Sequence, residues 1–445
     1  MKNNRALIIS LIIHVLVSLC ILNLFFTKPI AVPFVDDWIL MPWATGQVDY
    51  TWNNFWQMMN GHQHNLMKLY TILMAQWFSL SLPLSSIIQL AIGSAGFFII
   101  SWSQIKDVDI PDWAKIATMA GFSFIGLSWR QMQNFFMLIC LPWMLAILFI
   151  GCYFYIKNRN GKNKTWLLSL IILLSPMSFA LGLIVPLSQI AESAFNFARN
   201  RFKFQKIDIY FGTLSLFSIF LSFGYPTLTG NVIAQNHSPL AGNSVFSIFE
   251  YPLDFPKFIL LAIGQPFVVW FSTAADLGIA IGAVIAVLLS GVVFYYRKNT
   301  DFIFQNKTSL LAGSIFLLMF YAARYKLVGV AGAIEPRYST ASLVFLIGAL
   351  ATILKLMSRK TVFSLVILII GGFVQWRGLL VGESYYDTRY RQGIEIQECF
   401  KNNGQLPIDM TNPCVKALYP GEWLNQESYL SWVIELKKQN LIFFR

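Results

Sequence analysis

Runs of about twenty apolar residues recur along the whole chain, beginning with Ala6–Phe26. A stretch of that length crosses the hydrocarbon layer of a bilayer as one α-helix, and a chain with many of them folds as a helical membrane protein. Composition agrees. Of 445 residues, 56% are hydrophobic and only 12% are charged, and the mean hydropathy is +0.58. Soluble domains are nearer a quarter charged. The short alternating strands of an outer-membrane barrel are not seen.

The net charge of +12 invites a nucleic-acid reading, but its placement points to topology instead. Basic residues gather in short loops between apolar runs: Lys2 and Arg5; Lys157 to Lys164; Arg199 to Lys206; Arg297, Lys298 and Lys307; Lys355 to Lys360. Such clusters mark the cytoplasmic side. Cys20, Cys140 and Cys152 fall in apolar runs as packing residues. Cys399 and Cys414 lie in the polar tail and can pair if that tail is extracytoplasmic. No metal-ligand spacing of Cys or His occurs. The N-terminal run is too long for a signal peptide and lacks a small-residue cleavage site, so it reads as an uncleaved first span.

The first span leads outward into a long loop, 27–65. Further spans are expected near 134–156, 207–225, 276–296, 308–324, 338–356 and 361–380, and 165–198 reads as two short spans meeting near Gly182 and Pro186. Three apolar pieces lie at 66–82, 84–105 and 114–129. With 134–156 crossing inward, only an even number of them can cross, and 114–129 is taken as re-entrant or surface-lying. Gly264–Pro266 breaks a second such piece. Irregular backbone at membrane depth is tolerated only against protein or a polar cavity. The expectation is an all-α polytopic protein of about eleven transmembrane helices (nine to eleven), with re-entrant segments. It divides into a membrane domain, 1–380, and a small helical extracytoplasmic tail, 381–445.

Chemistry-bearing residues concentrate on the outer loops. Asp36 and Asp37 stand side by side in an otherwise apolar, aromatic loop. Such a pair either caps a short helix starting at Trp38 or supplies a base, since adjacent like charges raise one pKa. His62 and His64 are two apart and would not share a helix face as a metal pair does. Lys68 enters an apolar segment, either snorkelling to the interface or binding a phosphate. Arg130 lies in a polar stretch, Ser128–Asn134, that either ends a helix or contacts a hydroxyl-rich ligand. Arg324 and Arg337 bracket a Gly-rich turn, Gly329–Gly332. They pair with Glu335 or clamp a phosphate in bidentate fashion. An acid on the first loop and cations on later outer loops suit transfer of a sugar from a polyprenyl phosphate. The leaving phosphate needs cations, and one carboxylate suffices to deprotonate the acceptor.

Four pieces in order resemble the GT-C superfamily of membrane glycosyltransferases, and within it the serotype-converting O-antigen glucosyltransferases of bacteria and their phages. They are D-D-W at Asp36–Trp38, H-Q-H-N-L-M-K-L at His62–Leu69, W-R-Q-M-Q-N at Trp129–Asn134, and E-P-R-Y at Glu335–Tyr338. The resemblance implies an undecaprenyl-phosphate-linked sugar donor, commonly of glucose, and a lipid-linked O-antigen acceptor. It implies an inverting hexosyltransferase acting on the periplasmic face of the bacterial inner membrane, N-terminus cytoplasmic and C-terminus periplasmic. No cofactor is required, although a divalent cation is compatible. On it, Asp36 is the base with Asp37 second. Arg337, Arg324 and Lys68 take the donor phosphate, and Trp38, His62, His64, Arg130 and Tyr338 contact sugar or acceptor. Two departures stand out. His64-Asn65 replaces the family's His-Arg, and Met132-Gln133 replaces its Trp-Glu. The rival readings are a lipid-linked sugar transporter or flippase, which would bury charges mid-bilayer and show repeats, and an O-antigen polymerase, which relies on a large late outer loop.

Overall fold

The computed structural model describes residues 3–58, 64–157, 162–178, 180–199, 205–230, 247–268, 274–295, 310, 312–322, 325, 329–403, 407–419 and 425–442. It is 85% helix, without strands among the described residues. In lipid a backbone must satisfy its own amides, and a helix does so within one segment. Seven helical stretches among the described residues are long and apolar enough to cross a membrane: Arg5–Thr27, Leu82–Ile105, Leu138–Lys157, Lys206–Leu228, Ala275–Val292, Ser339–Leu356 and the apolar part of Lys360–Asn403. Lys164–Ser178 and Ala312–Ala322 are apolar but shorter.

The most thoroughly buried span is α12 (Ser339–Leu356), whereas α9 (Lys206–Ile219) and α11 (Ala274–Tyr295) are largely exposed. Helices α1 (Asn3–Thr27), α3 (Leu82–Ile105) and α4 (Asp112–Gly126) pack on one another, with α2 (Asn65–Phe78) beside the first loop. Halfway along α1, His14 ties α1 to α3 and α4. Its Nδ1 lies 2.8 Å from Ser123 Oγ and its Nε2 2.9 Å from the Ser94 carbonyl. Ser18 and Ser94 hydroxyls add a bond at 2.8 Å. Polar contacts of this kind hold helices together where lipid removes the hydrophobic drive.

The segment 114–129, expected to be re-entrant or surface-lying, forms α4 and is packed inside the bundle rather than on its surface. It runs through the bundle beside α13 (Lys360–Asn403), in the same direction. Near its start Lys115 donates to the Lys106 carbonyl at 3.1 Å. Further on Gly121 packs on Ile367 and Gly371, and past its end Ser128 meets Val374 and Gly378. Small residues let the two backbones touch. Only 15 residues of α4 are helical, and its course continues as broken turns through α5 (Met132–Phe136) to Cys140. Helix α2 is 14 residues long. It stops at two left-handed residues, Ser79 and Leu80 (φ 50° and 55°), that turn the chain into α3.

Basic residues mark one end of the bundle. Lys106 and Lys115 lie there, and so does Lys355, which reaches Gln104 at the end of α3. Lys157 closes α6 (Leu141–Lys157) and pairs with Glu192. Residues 165–198 form two short helices that meet near Gly182, and the first of them is apolar but shorter than a span. They are α7 (Lys164–Ser178) and α8 (Ile184–Arg199), with Gly182 packed on the Ser175 backbone between them. The other end carries the first loop. There Lys28 pairs with Asp387 at 2.8 Å, and Tyr386 donates to the Lys28 carbonyl at 2.7 Å.

The boundary expected at 380 falls inside a helix. α13 is continuous for 44 residues, about 66 Å, and carries the chain out of the bundle into the tail. The tail helices α14 (Pro413–Leu418) and α15 (Gln426–Lys438) share one core with the first loop. Trp38, Leu40, Met41, Trp43, Met67 and Met74 pack with Val415, Tyr429, Val433 and Leu436. Gln439 donates to the Thr45 carbonyl at 2.9 Å and the Ile442 amide to Ser79 at 3.0 Å. Cys399 and Cys414 are joined by a disulfide, the pairing considered from their placement in the tail.

Candidate functional site

The first loop leaves α1 extended and closes into a 3-10 turn, Val35–Leu40. Asp37, the third residue of that turn, reaches back. Its Oδ2 accepts from the Phe34 amide at 3.1 Å, as the acid of a capping box does. Its Oδ1 accepts from the Ile139 amide at 2.8 Å, across from a distant part of the chain. The side chain is 2% exposed. Burial pushes Asp37 up to about 7, against the backbone amides of Ile139, Phe34 and Leu138 that favour its charged form, and the neighbouring Asp36 adds to the rise. Asp36 is half-buried beside it. One carboxylate thus pins the loop to the start of α6, and the other flanks it.

The irregular stretches converge one layer deeper. Arg130 is fully buried between helix breaks. Its guanidinium donates to the carbonyl of Val268, past the end of α10 (Asp254–Gly264), and to that of Ile334 at 3.2 Å. Gln131 accepts from Thr340 at 2.8 Å, and Asn134 donates to the same hydroxyl at 2.8 Å. Gln265, in the Gly-Gln-Pro break, donates to the Glu335 carbonyl at 2.9 Å and accepts from Ser342 at 2.9 Å. Breaking three helices inside the bundle frees backbone carbonyls, and these side chains satisfy them. W-R-Q-M-Q-N, G-Q-P and E-P-R-Y therefore meet in space, although up to about two hundred residues separate them. The first of them leads directly into Ile139, which Asp37 holds.

Several expected contact residues have other work. Lys68 is buried beneath Trp43, its Nζ 4.7 Å from the ring centre. Its protons go to the carbonyls of Asn54 (2.9 Å), Phe55 (3.1 Å) and Gln57, at the end of the short helix Trp52–Trp56. A phosphate would find no donor there, so Lys68 is a loop anchor. Trp38 is 0% exposed and packs edge-on to Tyr429, 4.9 Å between centroids. Tyr338, 1% exposed, lies between Phe320 and Trp143. Both are core residues rather than sugar platforms. His64 is buried at the start of α2, and Arg130 is committed to carbonyls as above. The Arg337 backbone lies in the turn Pro336–Tyr338, against the 130–134 stretch. Arg324 and His62 lie outside the described residues. No group of three His, Cys, Asp or Glu suited to a metal occurs among the described residues.

A cleft of about 440 Å³ opens where the first loop meets the extended part of α13 and α14. Pro33, Phe34, Arg389, Gln392, Glu395 and Tyr419 line it, with the Cys399 end of the disulfide. Arg389 stacks over Phe34 and Tyr385, 5.3 Å from each ring centre, and donates to Gln392 at 3.1 Å. The residue whose amide Asp37 holds, Phe34, is thus also a wall of the cleft. Neither a family model, nor a curated protein, nor a solved structure matches the chain. Its chemistry is read from these side chains. An acid pair with one anchored member, a cationic aromatic wall and a polar cleft lie together at the loop end. Arg389 was missed from sequence. The signal was the run of Tyr and Arg in Y-Y-D-T-R-Y-R, Tyr385–Arg391, spaced so that Tyr385 and Arg389 share a helix face.

Proposed function

We propose that the protein is a membrane glycosyltransferase with a GT-C-like fold. It moves a hexose, glucose by the family resemblance, from undecaprenyl phosphate to a lipid-linked O-antigen acceptor. The reaction takes place at the periplasmic face of the bacterial inner membrane, with the first loop and the tail on that side. The observation that carries this reading is the position of Asp37 between the Phe34 and Ile139 amides. With both oxygens engaged, Asp37 holds the loop in place and Asp36 is the proton acceptor for the attacking hydroxyl. Attack opposite the departing phosphate inverts the anomeric centre, by analogy with hydrolysis at the same carbon. Arg337 and Arg324 remain the cations for the donor phosphate, and Lys68 drops out of that set. The cleft along Arg389, Gln392 and Glu395 offers the hydrogen-bonding groups and aromatic faces that a saccharide needs.

Asp36→Asn and Asp37→Asn, each expressed in membranes supplied with undecaprenyl-phosphate glucose, test the assignment. The expected result is loss of transfer by about a hundredfold or more for Asp36→Asn, with normal insertion and stability. Asp37→Asn is expected to lose both transfer and stability, because an amide nitrogen would face a backbone N–H. Full transfer by Asp36→Asn removes the assigned base. A reporter fused after residue 381 is expected to behave as periplasmic.

A further inference from the structure

Arg377 sits in the apolar part of α13 with no hydrogen bond or ion pair to its guanidinium among the described residues, and its Nε is shielded from solvent. Arg130 is next to it. Gly378 packs so closely on the 128–130 turn that a Cβ there would lie 2.9 Å from the Arg130 amide. The two guanidinium charges repel each other. Arg130 spends its bonds on carbonyl dipoles, and its own Nε is buried without a partner. A fully buried positive charge and a half-buried one therefore lie together, and neither forms an ion pair with a carboxylate among the described residues. Burying charge without a counterion is costly, so the site is built for an anion.

The surroundings identify the kind of anion. Arg377 stacks on Trp376, 5.5 Å from the ring centre. Trp376 is 51% exposed and Phe373 42% exposed on the side of the bundle. Phe267 stacks on Phe373 at 6.3 Å, and Phe373 lies 5.6 Å from Trp376. An apolar aromatic track thus leads away from the arginine along the face that meets lipid. Snorkelling does not account for Arg377. It lies about 15 Å along α13 before Asp387, which marks the loop end, and helix side chains tilt toward the N-terminus, away from that end.

We propose that Arg377, backed by Arg130, binds the phosphate of a membrane lipid whose apolar chain lies along Phe267, Phe373 and Trp376. The planar guanidinium suits a phosphate in bidentate fashion, and basic pockets between membrane helices are where lipid phosphates dock. The site itself rests on the arginines and the aromatic track. Only the choice of an isoprenoid phosphate as its working occupant rests on the proposed transferase reading.

Binding of undecaprenyl phosphate, phosphatidylglycerol and inorganic phosphate to the full-length protein in neutral detergent, followed by native mass spectrometry, tests this. Arg377→Gln is expected to weaken undecaprenyl phosphate binding about ten- to a hundredfold. Arg377→Lys, which keeps the charge without the fork, is expected to weaken it several-fold. Inorganic phosphate, lacking the chain, is expected to bind far more weakly than either lipid. Equal sensitivity of undecaprenyl phosphate and phosphatidylglycerol supports a general lipid-phosphate site. Preference for the isoprenoid supports an isoprenoid phosphate as the working occupant. If Arg377→Gln fails to fold, Arg377→Lys decides. Unchanged binding of both lipids in the folded variants overturns the site and leaves the role of Asp36 standing, whereas full transfer by Asp36→Asn overturns the transferase reading and leaves the site standing.

Discussion

Asp37 accepts two amide protons while shut away from water, and these influences oppose each other. Burial wins, holding the carboxyl near 7 against an ordinary 3.8. The sign of the pH effect follows. Between about pH 4 and 7 the unfolded chain has lost this proton and the folded chain keeps it, so its contribution to stability falls as pH rises through that window and is level above it. Thermal unfolding of the detergent-solubilised protein at pH 4.5 to 8 is expected to show this slope, and Asp37→Asn is expected to remove it. Lys68 is the second residue whose partners define its role. Lys68→Met strands the carbonyls of Asn54, Phe55 and Gln57 and is expected to cost about 2–4 kcal/mol. The readout is faster proteolysis within residues 50–58. A donor-phosphate role would instead raise KM without loosening the loop.

Among the elements, the contact of α4 with α13 is decided by single glycines. A Cβ on Gly371 would lie 2.3 Å from the Gly121 carbonyl oxygen, whereas one on Gly372 meets nothing within 4 Å. Gly371→Leu is therefore expected to lower stability by at least about 1–3 kcal/mol, and Gly372→Leu to leave it near the parent. Unfolding midpoints of the two variants in one detergent check the pair. The same contact explains what the sequence hid. Composition shows that 114–129 is apolar and short, but not that its partner is a helix 250 residues later or that its continuation is a stack of broken turns. The breaks themselves were legible, at Gly264–Pro266 and in the polar W-R-Q-M-Q-N. Their convergence on Arg130 was not, because it depends on carbonyl groups that every residue possesses.

For the whole molecule, the shared core of first loop and tail makes the tail a brace for the acid pair rather than an appendage. The Cys399–Cys414 bridge closes a loop of 15 residues in that brace, a restraint worth up to about 3 kcal/mol. Replacing both cysteines by serine is expected to loosen α14 and α15, raise protease cleavage in the tail, and lower sugar transfer while leaving membrane insertion intact. Insertion is measured by alkali extraction of membranes. Transfer unaffected by a released tail would show that the loop keeps its geometry from the bundle alone.

The sequence by itself determined that this chain is helical and membrane-associated. Apolar length alone forces helices where backbone amides have no water, and the basic clusters are local runs. It also singled out the acid pair and the paired tail cysteines, since each is visible as adjacent or unusual residues. Only the tertiary structure decided which carboxylate anchors the loop through two backbone amides and which flanks it. The same is true of Lys68, Trp38 and Tyr338 as interior residues and of Arg377 beside Arg130 as charges without a carboxylate partner among the described residues. Burial and hydrogen-bond partnership are properties of what surrounds a side chain, and here the surroundings come from segments hundreds of residues away.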